Sequence, residues 1–485
     1  MRNNGTLLVA ALTTLAFFLA APADSRAFGQ DDAQRCLTNG VDWFSASFKD
    51  AKIGAMNSSL SLEQASTGAV YFAREYVRMH GLSAGNAFDQ TIRSEQQFHA
   101  NPPYRLKNAR LRMGDGAAIR VEESGQSYKA FIEYNGEIRE TALPEPLQYT
   151  LADYCALKLW VMDHPAAGAS IKGKEFDIQQ LRVIPSRLTL VSVSQAVFPE
   201  RRRYEVRTEI PGRGQVTTEL SADGRVLSMT GQGFTFRRSD RKQARAETPP
   251  VDLFLANSVT LDKPLDDPRG VISWDLGCPQ DLARALEDGP AQRILCDGPN
   301  CRIRLGEPNP EAARPSMDHE QDWLGSIAGC PLDDPQLVAL TQQAVGDARS
   351  DMDKLRNIAA FVDDYIQDVP GEAAMDVKQI MDRRRGDCGE HALLFTAICR
   401  TAGLPTRIVL GYYPAGDPAE SLAGHAWAEA VANGRWVEAD PINGGLVRDA
   451  LHLRTGTLES SASKDLFPLS GAQLNVLEVH RKPGR

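Results

Sequence analysis

Three residue types that together perform acyl transfer occur late in the chain, each inside a pattern that positions it. Cys388 stands in "RRRGDCGEHALLF" (383–395), His425 in "GHAWAEAV" (424–431) and Asp440 in "RWVEADP" (435–441). A thiol becomes a nucleophile when a base takes its proton, and an imidazole oriented by a carboxylate is such a base. The competing fate of a cysteine in an exported protein is a disulfide. Which applies to Cys388 depends on whether the flanking elements bring the three side chains together.

The cysteine comes first. Gly386 and Asp387 can turn and cap the chain, and "CGEHALLFTAICRTAG" follows with Leu394, Phe395 and Ile398 at core spacing. Gly403 stands where a helix stops and Pro405 comes two residues later. Cys388 therefore falls in the first turn of a predicted helix. The unpaired N–H groups and the positive dipole end there favour a thiolate and are expected to lower its pKa. The Cys388 backbone N–H is a candidate oxyanion donor; no second donor is identifiable. Cys399 lies on nearly the same face but about 16 Å further along, at 1.5 Å per residue, so the two cannot bridge and Cys399 reads as packing. His391 raises a Cys-x-x-His metal reading with Cys388. No second ligand pair accompanies it, so Glu390 and His391 read as helix-surface residues and no metal or other cofactor is expected.

The imidazole and the acid share a hairpin. Asn433-Gly434 is a two-residue turn signal that pairs Ala432 with Arg435. His425 and Asp440 then fall on one side as diagonal neighbours, roughly 7–8 Å apart at the backbone and within side-chain reach. Ala426, Ala428, Ala430 and Ala439 line the opposite side and leave room for a helix. A three-residue turn would reverse this parity. Trp427 and Trp436 read as core.

As a linked set, these segments resemble the transglutaminase-like superfamily. Gly-Asp-Cys opens a helix, Gly-Leu-Pro-Thr-Arg leads into a strand, Gly-His-Ala-Trp lies on the next, and Trp-x-x-x-Asp-Pro follows. The resemblance covers residues 335–450, about a quarter of the chain on ordinary domain lengths. It implies an α+β fold, a papain-like helix packed on an antiparallel sheet. It also implies Cys388, His425 and Asp440 as a catalytic triad, and action on amide bonds of peptides or proteins through an acyl-enzyme. The animal transglutaminases carry a Trp just after the cysteine, where this chain has Gly389. No acidic loop with calcium-site spacing is evident here. The resemblance is closer to bacterial members taken to be peptidases or amide hydrolases, in a superfamily that also includes peptide N-glycanases; it implies a peptidase, amidase or acyl transferase. A non-catalytic envelope adaptor on the same scaffold is the alternative.

The rest of the chain frames this domain. At 485 residues, several domains are expected. Residues 1–27 have the parts of a secretory signal: Arg2, the uncharged run "TLLVAALTTLAFFLAA", and small residues ending at Ala23 or Ala27. A periplasmic or secreted protein with no stable membrane span after cleavage is the expectation. A net charge of −9 argues against nucleic acid as a partner. Residues 28–245 read as mostly β, with helices near 60–80 and 147–162. A second β-rich segment spans 252–306, the catalytic domain 334–450 and an extension 451–485. The β-rich N-terminal region is a candidate surface for a partner protein. Six further cysteines allow 15 pairings. "CDGPNC" (296–301) makes Cys296–Cys301 the first choice and Cys278–Cys330 the second.

Overall fold

A computed structural model describes residues 28–482 apart from 67, 84–85, 115–116, 135–136, 144–146, 179–180, 195–198, 211–213, 232, 253–255, 316–322, 326–331, 370–376, 444, 448–449 and 459–467. The expected signal at 1–27 lies outside the described residues, as does Cys330. The chain forms two compact units, one ending at Val251 and the other beginning at Asp252. No helix among the described residues is long and apolar enough to cross a membrane.

The first unit is a fourteen-stranded sheet made of two meanders. They meet where Asp42–Phe48 pairs antiparallel with Phe234–Ser239. The helix expected near 60–80 is instead a strand pair, Ala51–Ala65 with Gly68–Ser83. Val70 is buried next to Tyr71, and from Tyr71 onward the buried Tyr71, Ala73, Val77 and Met79 fall at odd positions, the period of a strand. Val70, Tyr71, Phe72, Tyr76 and Val77 are β-formers, and Ala65 pairs with Gly68 across a tight turn. The helix expected at 147–162 runs Leu151–Met162, with Thr150 as its N-cap. Its Leu157 and Val161 pack on Leu188, Leu190, Tyr204, Val206 and Leu220.

In the second unit, the division into 252–306, 334–450 and 451–485 does not survive. One ten-stranded sheet takes strands from all three. Val259–Leu265 pairs antiparallel with the start of Ala419–Ala432, the strand that carries His425, and parallel with the final strand Gln473–Arg481. Gln292 joins the parts further: its amide donates to the carbonyl of Arg454 and accepts from the Arg454 N–H, both at 2.8 Å. These pairings connect residues more than 150 apart in sequence, so no local pattern announces them. Cys296 and Cys301 face each other across a hairpin and are bridged, whereas Cys278 keeps a buried free thiol.

The strand Thr406–Gly416 pairs along most of its length with Ala419–Ala432. The second half of Ala419–Ala432 also pairs with Arg435–Asp440, Ala428 opposite Ala439 and Ala432 opposite Arg435. Ala426, Ala428, Ala430 and Ala439 lie in one core with Phe395, Ile398 and Cys399 of the helix Cys388–Thr401. Side chains this small let the helix lie close to the sheet. Burying Phe395 and Ile398 then contributes about 1.5–3 kcal/mol each.

The start of that helix is built tightly. The Asp387 carboxylate accepts the Gly389 N–H at 2.9 Å, and the Glu390 carboxylate accepts the Asp387 N–H at 2.9 Å. This reciprocal cap folds Glu390 back over Gly386, where an added Cβ would lie 2.3 Å from the Glu390 Cβ. Gly386→Ala is therefore expected to cost about 1–3 kcal/mol through overpacking, read as a lower urea midpoint at unchanged slope. A midpoint equal to wild type would show that the cap tolerates a side chain there.

Candidate active site

Cys388 is the first residue of its helix, directly after the N-cap Asp387. It is a buried thiol, 3% exposed. The Ala426 N–H is a hydrogen-bond donor to the thiol, which puts the sulfur against the backbone beside His425. The dipole argument made from sequence does not settle the protonation of this group. Burial, and next the Asp387 carboxylate, push the thiol well above the usual thiol range, against the opposing Ala426 N–H. A thiolate at this position therefore needs a cation beside it.

The sulfur's backbone donor Ala426 follows His425 directly, which makes His425 the candidate partner among the described residues. His425 Nε2 lies 2.8 Å from Asp440 Oδ2, and the two side chains are 8% and 3% exposed. Burial alone would raise the Asp440 carboxyl. The charge and hydrogen bond of His425, with the hydrogen bond of His452, outweigh it and hold the carboxyl well below the usual carboxylate range. An ionised carboxylate only accepts hydrogen bonds. The His425 hydrogen therefore sits on Nε2, and Nδ1 is the nitrogen that can take a proton from Cys388.

Two residues absent from the sequence reading complete the carboxylate's surroundings. His452 Nε2 lies 2.9 Å from the same Oδ2, and Asn443 Nδ2 donates to it at 2.9 Å. Asn443 ends the 3-10 turn Pro441–Asn443 that follows Asp440 directly. Its nearness to Asp-Pro was a usable signal. His452 precedes the strand Leu453–Thr457 and belongs to no recognisable motif. Its ring meets Tyr413 and Trp427 edge-on, with centroids 4.9 and 5.0 Å apart. Trp427 is fully buried and Trp436 nearly so, as core residues should be.

Glu390 and His391, read from the sequence as helix-surface residues, are both buried. Glu390 turns inward because its carboxylate completes the helix cap. His391 Nδ1 lies 2.7 Å from the Asp387 carbonyl of its own helix, a link that fastens the ring to the capped turn. The His425, Asp440 and His452 ligand atoms lie within 4.8 Å of one another, a grouping a cation could also bridge. The distances of 2.8 and 2.9 Å onto a single oxygen fit imidazole N–H donors better than tetrahedral zinc, whose ligands at 2.0–2.1 Å stand roughly 3.3 Å apart. The arrangement can pass a proton from a thiol to an imidazole and back, with a fixed negative charge behind the ring.

Comparison with known proteins follows the same residues. The model of the transglutaminase-like superfamily matches residues 338–441. A peptide-N(4)-(N-acetyl-beta-glucosaminyl)asparagine amidase from Oryza sativa subsp. japonica is 34% identical over 71 residues, which is 14% of this chain and 14% of that relative. Among solved structures, a candidate cysteine protease from Cytophaga hutchinsonii is 16% identical with a TM-score of 0.28, over 44% of this chain and 85% of the other. A candidate protease from Parabacteroides distasonis is 10% identical with a TM-score of 0.18, over 79% of this chain and 65% of the other. Both structural likenesses are too slight to bear on fold or activity. The chain is α+β, and its residues 338–441, which hold Cys388, His425 and Asp440, match the transglutaminase-like superfamily.

Proposed function

We propose that this protein is an exported thiol enzyme that acts on amide bonds of peptides or proteins through an acyl-enzyme. The observation that carries this reading is the buried His425–Asp440 pair, whose histidine directly precedes the Cys388 sulfur's backbone donor, Ala426. The match of residues 338–441 to the transglutaminase-like superfamily supports it, as does the amidase in the name of the Oryza relative, within the short stretch they share. The export signal read in residues 1–27 supports work outside the cytoplasm.

The chemistry follows from the proton positions. Cys388 Sγ attacks the amide carbonyl while its proton passes to His425 Nδ1, and Asp440 stays ionised beside the imidazolium. The tetrahedral intermediate collapses as Nδ1–H hands that proton to the leaving amine, and a thioester to Cys388 remains. Water, losing a proton to Nδ1, attacks the thioester carbonyl and releases acid and thiol; an amine in its place gives transfer. The same three residues serve hydrolysis and transfer. Cys388 at 3% exposure favours one other reading, a scaffold whose thiol is no longer used.

Amide release from a peptide library should fall by at least about 10⁴-fold in Cys388→Ala. Asp440→Asn should cost a comparable factor of about 10⁴ by losing the charge that fixes the ring. Release that persists in Cys388→Ala would end the thiol reading.

A second measurement needs no substrate. Burial raises the thiol, so removing its counter-cation should leave it protonated and inert. Wild type should be alkylated by iodoacetamide at about pH 6.5, where a free thiol with a pKa of about 8.5 reacts little. His425→Ala should react only well above that range. Equal profiles for the two proteins would support the retired scaffold.

The Asp440 carboxyl also links stability to pH. Its folded pKa is depressed, so its contribution is fully present above the unfolded value of about 3.9 and is lost as pH falls through the folded value. Acid unfolding of Asp440→Asn should therefore begin from lower stability but show a shallower loss below about pH 4 than wild type. Parallel curves would show that Asp440 is not held ionised by its neighbours.

A further inference from the structure

His452 has no part in the steps above, yet it makes the same contact with Asp440 that His425 makes. Oδ2 receives His425, His452 and Asn443 at 2.8, 2.9 and 2.9 Å, while the buried Oδ1 has no hydrogen-bond partner among the described residues. An unbraced carboxylate could turn about its Cβ–Cγ bond and carry the acceptor away from His425. Two further donors on the same oxygen oppose that rotation. One is local, three residues on in the chain. The other arrives from a different part of the sheet.

We propose that His452 is a positioning residue, whose Nε2–H locks the Asp440 oxygen in the one orientation that holds the His425 ring toward Cys388. The inference rests on the reading of Cys388, His425 and Asp440 as an acyl-transfer site. The ring is built to hold still. It is 7% exposed, lies edge-on to Trp427 and Tyr413, and immediately precedes Leu453, which pairs with Tyr412. It also carries its hydrogen on Nε2, because the ionised carboxylate offers no donor.

Among the described residues, the titratable and charged groups around this ring come from several strands. Asp440 and Glu438 come from the Arg435–Asp440 strand, His425 from the Ala419–Ala432 strand, Tyr413 from the Thr406–Gly416 strand, and Arg454 from two residues further on. Burial, and next the charge of Glu429, push the Glu438 carboxyl up to about 7, against the charge of His452. Near neutral pH Asp440 is thus the fixed acceptor for His452. Losing one donor to a charged, buried acceptor that orients a reacting group typically costs about 10–100-fold.

The test compares His452→Gln, which keeps an N–H donor, with His452→Met, of similar length and without one. The readout is the rate of Cys388 alkylation by iodoacetamide against pH, with thermal unfolding as the check on folding. His452→Met should lower the rate at about pH 6.5 by about 10–100-fold and move the midpoint upward, and His452→Gln should recover most of it. Wild-type rates in His452→Met overturn the inference, and so does an equal loss in both variants, which would assign the effect to ring shape. If wild type itself alkylates only as an ordinary thiol, the acyl-transfer reading falls and this inference falls with it; the other two outcomes leave that reading standing.

Discussion

One buried oxygen, Oδ2 of Asp440, organises the site. It is an acceptor three times over, and the carboxyl stays ionised because those donors outweigh the cost of burial. Breaking such a group by removing one partner commonly costs about 3–5 kcal/mol, because an uncompensated charge is left inside. Its demands propagate outward. The hairpin register must be the two-residue one, since a slip of one position would turn His425 to the helix side. The helix side must in turn be small, and alanines occupy it. Cys388 then has only one place to be, at the helix end that meets the Ala426 backbone.

Behind His425 and Asp440 the sheet carries further charge. Glu429 is fully buried and pairs with Arg407 at 2.6 Å and with Arg454. It stands directly opposite Glu438 in the strand register. Two carboxylates facing each other would repel. The two arginines answer Glu429, and Glu438, pushed up to about 7, can keep its proton near neutral pH. Arg407 also covers the Trp436 ring at 4.0 Å, while Trp427 Nε1–H donates to Glu438. Polar partners and aromatic faces alternate along this surface, so the acid–base groups are held by neighbours that are themselves held.

How far the sequence revealed this depended on how local each cause is. Asn433-Gly434 fixes a turn with two residues, and parity does the rest, so His425 and Asp440 could be placed together from sequence alone. The helix at Cys388 was legible through Gly386, Asp387 and Gly403. The 60–80 stretch misled because apolar residues at mixed spacings fit both periods, and only pairing between Ala51–Ala65 and Gly68–Ser83 decides between them. His452 could not be found, because nothing near it in the sequence says that Leu453–Thr457 will pair with Thr406–Gly416. The same holds for Gln473–Arg481, which enters the sheet between strands from the 252–306 segment.

Disulfide formation is the fate that competes with a thiol role for Cys388, and a buried thiol can escape it. The structure gives a physical route. Thiolates, not thiols, carry out disulfide exchange, and burial with Asp387 nearby keeps this sulfur protonated unless His425 takes the proton. The reactive form then exists only as one half of an ion pair, and at 3% exposure it meets few oxidants. The helix dipole, which alone would favour a free thiolate, is offset by the carboxylates that cap the same turn. A group made less acidic by its surroundings and more acidic by one specific partner is stable while idle and reactive when that partner is aligned. On the proposed reading, the reactivity of the Cys388 sulfur thus depends less on the helix end than on the orientation of a single imidazole.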